Sequence, residues 1–228
     1  MLIAIGTLIL LAIIFGPQLW TRHIFRRYSA ELTELPGTGG ELAGHLLGRL
    51  GIPDVKVEET KPDQDHYDPE ERVIRLSPDV HNGRSLTAVV IAAHETGHAL
   101  QHHLAYRPLY LRWRMARYVA LAEKLAGVML LFSPVVAILT RMPHIGGLTL
   151  LVGITILIMP VIFHLVTLPV ELDASFGRAM PILSEGNYLP PSAIPIARRI
   201  LTAAALTYVA ASLASILNFY RWLIFLRR

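Results

Sequence analysis

The 228-residue chain contains no cysteine. Disulfides and thiolate metal sites are thereby excluded, and any metal must be held by histidines and carboxylates. Charge is scarce as well: 17% of the residues are Asp, Glu, Lys or Arg, where a soluble domain carries about 25%. No Gly-Lys-Ser/Thr follows the glycine-rich stretch "PGTGGELAGHLLGRLG" and no strand pattern precedes it, which argues against a phosphate loop. Internal repeats and low-complexity tracts are missing, and no Asp-Gly pair occurs anywhere.

What replaces the missing charge is apolar sequence. Hydrophobic residues make up 53% of the chain, and they gather in four long stretches rather than spreading evenly. That pattern predicts an integral membrane protein. The first stretch, residues 1–21, is free of charge and about 30 Å long as a helix, the thickness of the hydrocarbon layer. No Lys or Arg precedes it and no small-residue cleavage site follows, so an uncleaved anchor is expected rather than a signal peptide. The second ("LAGVMLLFSPVVAILT", able to borrow "YVALAE" upstream) and the third ("GGLTLLVGITILIMPVIFHLVTLPV") form a transmembrane hairpin over 119–170. The fourth, in 200–228, is rich in Ala and Ser, which suits close helix packing.

Basic residues set the expected orientation. Arg22, Arg26 and Arg27 follow the first stretch, and Arg107, Arg112, Arg114 and Arg117 precede the second. They put residues 28–118 in the cytoplasm, and the segment 171–199 returns to the same side. The basic C-terminal end, "RWLIFLRR", runs against this scheme, which would leave it outside. A pI near 9.6 raises the question of nucleic acid, but arginines at membrane-flanking positions point to the lipid bilayer as the partner and to no nucleic acid.

Within 28–118 the pattern is that of a small folded domain. Thr38 and Glu41 form a capping box at the head of a leucine-striped helix that Gly51 ends. "PDVKVEE" and "RVIRL" read as strands with a polar loop, "TKPDQDHYDPEE", between them; Ser77 before Pro78 reads as an N-cap. From about Arg84 to Tyr106 the chain reads as one helix.

That helix carries His94, Glu95 and His98, an H-E-x-x-H motif. Residues four apart share a helix face about 6 Å apart, so two imidazoles can reach one zinc ion with bonds of about 2.1 Å. Glu95 is turned about 100° from His94. It therefore reaches a water at the metal, taking its proton as general base and returning it to the leaving amine. At ordinary residue frequencies the motif arises by chance in about one chain of this length in a hundred, so its context matters. Gly97 costs about 1 kcal/mol in a helix interior, a cost that makes sense where something approaches closely. One zinc per chain is the expected cofactor.

A catalytic zinc takes three protein ligands and leaves one position open. His102 extends the same face, but three consecutive turns of a straight helix cannot converge on one ion. His102 and His103 therefore read as supporting or surface residues. Glu171 and Asp173, in "LPVELDAS" after the third apolar stretch, lie on the same side of the membrane as His94. Glu171 is the expected third ligand, against the plain account of an interface carboxylate. His164, inside the third stretch, marks a functional position or simply snorkels. Arg178 can stabilise an oxyanion or hold Asp173, and Tyr188 can donate to a tetrahedral intermediate.

Three blocks, "GTGGELAGHLL", "DHYDPEERVIRLSPDVHNGRSLTAVVIAAHETGHALQHH" and "LPVELDASFGRA", resemble the YugP-like family of bacterial membrane neutral zinc metallopeptidases. More distantly, the pattern resembles the CAAX prenyl protease and heat-shock membrane protease group, whose third-ligand motif is E-x-x-x-D. Glu171 matches the glutamate there, while Ser175 stands in place of the aspartate, leaving Asp173 as the alternative outer support.

The resemblance implies a mainly α membrane protein in a bacterial cell membrane, with about four transmembrane helices and a small zincin-like α+β metallopeptidase domain at the cytoplasmic face. It implies a zinc-dependent endopeptidase acting on a peptide or membrane-protein substrate, with "RVIRL" as an edge strand that pairs with extended peptide. Two rivals compete. A site-2-type intramembrane protease supplies an aspartate from an Asp-Gly-type motif, which this chain lacks. A non-catalytic zinc-stabilised scaffold has no use for Glu95.

Overall fold

A computed structural model describes the backbone of residues 2–226, and the side chains of 15–217 together with residues 12, 219 and 220. Helix α1 runs from Leu2 to Arg27 and finishes on Arg26 and Arg27, whose charge complements the negative end of the helix dipole. Most side chains of the anchor expected over residues 1–21 lie outside the described set.

The chain divides into two compact units. One comprises residues 1–14, 110–168 and 208–228, the other residues 15–109 and 169–207.

The second unit holds the domain with the H-E-x-x-H motif. Helix α2 (Gly39–Arg49) starts on the capping box: Thr38 N–H donates to Glu41 Oε2 at 2.8 Å and Glu41 N–H to Thr38 Oγ1 at 3.2 Å. Gly51, at φ +71°, takes the left-handed conformation beyond its end. Three short strands follow, β1 (Lys56–Glu59), β2 (His66–Asp68) and β3 (Val73–Leu76), in the spatial order β1-β3-β2. β3 pairs parallel with β1 and antiparallel with β2.

This corrects the edge-strand expectation. "RVIRL" is the centre of the sheet, with both edges occupied, so extended peptide cannot add to it. The cause lies in residues 66–68, which a polar composition disguises as loop. They pair with β3, the salt bridge Arg75–Asp68 (3.0 Å) ties the two strands, and Asp68 Oδ1 accepts from the N–H groups of Glu70 and Glu71 to shape the turn. Val73, Ile74 and Leu76 are all buried, as a strand covered on both faces requires.

Beyond the sheet, Pro78–His81 forms the one-turn helix α3, and Ser85 caps α4 (Leu86–His103) by accepting from Ala88 N–H at 3.1 Å. Ala43, Leu47, Ile74, Leu76, Ala88 and Ala92 fill the core between α2, the sheet and α4. A second core joins Leu46, Val89, Val90 and Ala93 to Leu183, Ile200 and Leu201.

Three helices among the described residues are long and apolar enough to cross a membrane: Arg107–Thr140, Pro143–Glu185 and Ile194–Leu217. The first is α5. The second runs through α6 (Pro143–Ile156), α7 (Ile158–Leu172), a π-helical segment (Asp173–Ala179) and α8 (Met180–Glu185); the third belongs to α9 (Ile194–Leu226). In the first unit α5 and α6 pack closely where Gly146 meets Ser133 and Ala137, and Ala126, Leu130, Ile154 and Leu157 form a small core. Leu131, Ile138 and Leu139 remain exposed, as lipid-facing side chains do.

Candidate metal centre

α4 presents His94 and His98 one turn apart, with ring centroids 4.7 Å from each other and planes nearly perpendicular. The end of α7 brings Glu171 against them. Its carboxylate is 1% exposed, and Oε2 lies 3.3 Å from His94 Nε2 and 3.5 Å from His98 Nε2. One ligand atom from each of the three falls within 4.8 Å of the others. Donors around a tetrahedral zinc with bonds of about 2.1 Å stand about 3.4 Å apart. The spacing, the His2Glu donor set and the burial all fit that ion.

The outer nitrogens fix which way the rings face. His94 Nδ1 lies 3.1 Å from Ser175 Oγ, and His98 Nδ1 lies 2.9 Å from Gln101 Oε1. An amide oxygen only accepts, so His98 carries its proton on Nδ1 and turns the lone pair of Nε2 toward Glu171. Gln101 is wholly buried and is held in its turn: Nε2 donates to Val170 O and to Asp173 Oδ2, both at 2.8 Å. Arg178 Nε donates to the same Asp173 oxygen at 2.7 Å, and its guanidinium stacks over the Tyr106 ring. Burial, with the Asp173 carboxylate adding to it, pushes the Tyr106 hydroxyl above its usual range.

The π-helical segment makes this relay possible. Residues five apart diverge by about 140° on an α-helix, yet Asp173 and Arg178 meet because the segment closes i→i+5 turns. Ser175, one turn beyond Glu171, takes the position under His94. The close approach expected at Gly97 is also there: a Cβ on it would stand 2.8 Å from the Ala174 carbonyl oxygen. Only glycine lets α4 lie this near the π segment.

Other expected residues fall as follows. Glu95 is buried beside His94 on α4. Asp173 is linked to His98 through Gln101, Ser175 lies directly at His94, and Arg178 donates to Asp173. His102 is not brought to the centre; its Nδ1 lies 2.7 Å from the Tyr67 hydroxyl, a hydrogen bond that ties β2 to α4. Burial, with Arg72 helping, pushes the His102 imidazole below the usual histidine range. His103 is exposed. The Tyr188 hydroxyl is engaged by Arg49 (2.8 Å) and His45 (3.0 Å) instead. Gln101 was not anticipated. Its one sequence signal is its place three residues after His98, on the same helix face.

No solved structure matches the chain. A family profile described as "Putative neutral zinc metallopeptidase" matches residues 2–227. A protein of Bacillus subtilis (strain 168) named "Putative membrane protease YugP" is 38% identical over 224 residues, which cover 97% of this chain and 95% of that one. With a match over nearly its whole length and a buried His2Glu cluster to go with it, the chain belongs to this neutral zinc metallopeptidase family.

Proposed function

We propose that the protein is a membrane-bound zinc endopeptidase, with the ion held by His94, His98 and Glu171 and with Glu95 as general base. The convergence of three ligand atoms beside a buried glutamate carries this reading. When bound, zinc supplies Lewis acidity, polarising the scissile carbonyl and bringing the pKa of a water toward neutral. The carboxylate of Glu95 takes the proton of the attacking water and delivers it to the leaving amine nitrogen. Ser175 and Gln101 hold the two imidazoles at Nδ1, and Asp173 and Arg178 hold Gln101. Water exclusion comes from the buried setting of Glu95, His98 and Glu171.

The site faces the cytoplasm of a bacterial cell in this proposal, because the arginines at the end of α1 and in the first turns of α5 flank the domain. α4 is not among the helices long and apolar enough to span a membrane, which favours a site outside the hydrocarbon over a site-2-type one. Substrates are peptides or membrane proteins with unstructured segments. The test is zinc content and cleavage of a quenched peptide library by detergent-purified protein. Wild type binds about one zinc per chain and cleaves, and Glu171→Ala loses most of the metal. Undiminished zinc in Glu171→Ala moves the third ligand elsewhere; no zinc in wild type, prepared without chelator, ends the proposal.

A further inference from the structure

Within the first unit lies a cavity of about 600 Å³ lined by Glu123, Gly127, Leu130, Leu157, Pro160 and Ser215. Glu123 is the only Asp or Glu among residues 1–14, 110–168 and 208–228, which hold eight lysines and arginines. Its carboxylate is exposed at the cavity wall, and among the described residues no hydrogen bond or salt bridge reaches it. Lys124 follows it directly, but neighbours in sequence do not face each other on a helix. His164 stands one turn beyond Pro160 on α7. His164 Nδ1 and, three residues further, Thr167 Oγ1 are buried with no hydrogen-bond partner among the described residues.

An ionisable residue in a spanning helix is costly to insert and marks a functional position. A lone carboxylate opening into an apolar cavity selects a cationic guest. Depth narrows the choice. Glu123 follows Arg117 by six residues, about 9 Å along α5, so it sits near the basic end of the span. There, other transmembrane helices carry their own flanking lysines and arginines. We propose that this cavity docks the end of another protein's transmembrane helix, its flanking Lys or Arg pairing with Glu123 while apolar side chains fill the rest.

The test uses full-length protein in phosphatidylcholine nanodiscs and a labelled single-span Leu-Ala helix of about 22 residues, with one lysine in its last apolar turn. Binding is read by energy transfer against a lysine-free twin. The lysine helix binds about tenfold tighter, as expected of a charge pair formed in a low dielectric. Glu123→Asp keeps that preference and Glu123→Gln abolishes it. Gly127→Leu weakens both helices; a Cβ at Gly127 meets nothing within 4 Å, so the new side chain grows into open space. Equal affinities of the two helices in wild type overturn the proposal, and so does a preference that survives Glu123→Gln. Loss of the preference when phosphatidylethanolamine replaces phosphatidylcholine makes a lipid ammonium the occupant and overturns it too. The assay needs no hydrolysis, so its outcome is independent of the peptidase reading.

Discussion

Replacing Gln101 with alanine tests whether the metal site depends on its outer relay. The side chain is 0% exposed and makes three hydrogen bonds, at 2.9 Å to His98 Nδ1, 2.8 Å to Val170 O and 2.8 Å to Asp173 Oδ2. Each bond contributes about 0.5–1.5 kcal/mol net, and the groups left behind keep their desolvation cost. Gln101→Ala therefore destabilises the folded chain by about 2–4 kcal/mol. The larger effect falls on metal: His98 loses the acceptor that fixes its tautomer, and outer partners of this kind are worth about 10–100-fold in affinity. Zinc competition with a chromophoric chelator in detergent reads the affinity, and a thermal melt on the same samples reads stability. Gln101→Glu separates the contributions, since it keeps an acceptor for His98 but sets a carboxylate against Asp173 and loses the bond to Val170 O. It binds zinc more tightly than Gln101→Ala. Wild-type zinc affinity in Gln101→Ala would refute the reasoning, whatever the melt shows.

Glu95→Gln keeps its zinc and loses about 10²–10⁴-fold in peptide cleavage, measured as metal content and kcat on one preparation. Gly97→Ala gains about 1 kcal/mol of helix propensity but forces α4 off the Ala174 carbonyl. The net is a destabilisation of about 1–3 kcal/mol with weakened zinc binding, checked by thermal melts with and without metal. For His102, a folded-state pKa depressed below the ordinary histidine value of 6.5 means the neutral ring is favoured in the fold. Its contribution is complete above pH 6.5. It declines as pH falls from 6.5 through the folded pKa, because the unfolded chain takes up the proton first. Melting temperatures of wild type should therefore fall from pH 7.5 to 5.5 by more than those of His102→Gln, and parallel curves would count against the burial of the His102 ring as the cause.

The parts legible in the sequence are those governed by local rules. Thr38 and Glu41 spell a capping box within four residues, and His94, Glu95 and His98 share one helix. Glu171 could be matched to them because, with Asp173, it forms the carboxylate pair that directly follows the third apolar stretch, on the side expected for His94. Gly97 announced a close approach through its misfit with helix propensity, without naming the Ala174 carbonyl. Strand β2 stayed hidden because "HYD" has no apolar alternation: Arg75 and a turn closed by Asp68 hold it, and these are tertiary facts. The same limit applies to β3, whose central place depends on which partners arrive on either side. The π turn is the clearest case. Nothing in "DASFGRA" marks a widened helix, and without it Asp173 and Arg178 would point apart and Gln101 would lose its anchor.

The ligands of the metal centre are far apart in the order of synthesis. His94 and His98 emerge together, and Glu171 follows only after two long apolar stretches. A nascent chain halted anywhere between residues 98 and 171 carries the complete H-E-x-x-H motif and two of the three candidate protein ligands. The third candidate ligand thus joins the other two only once the hydrophobic segments between them have been translated.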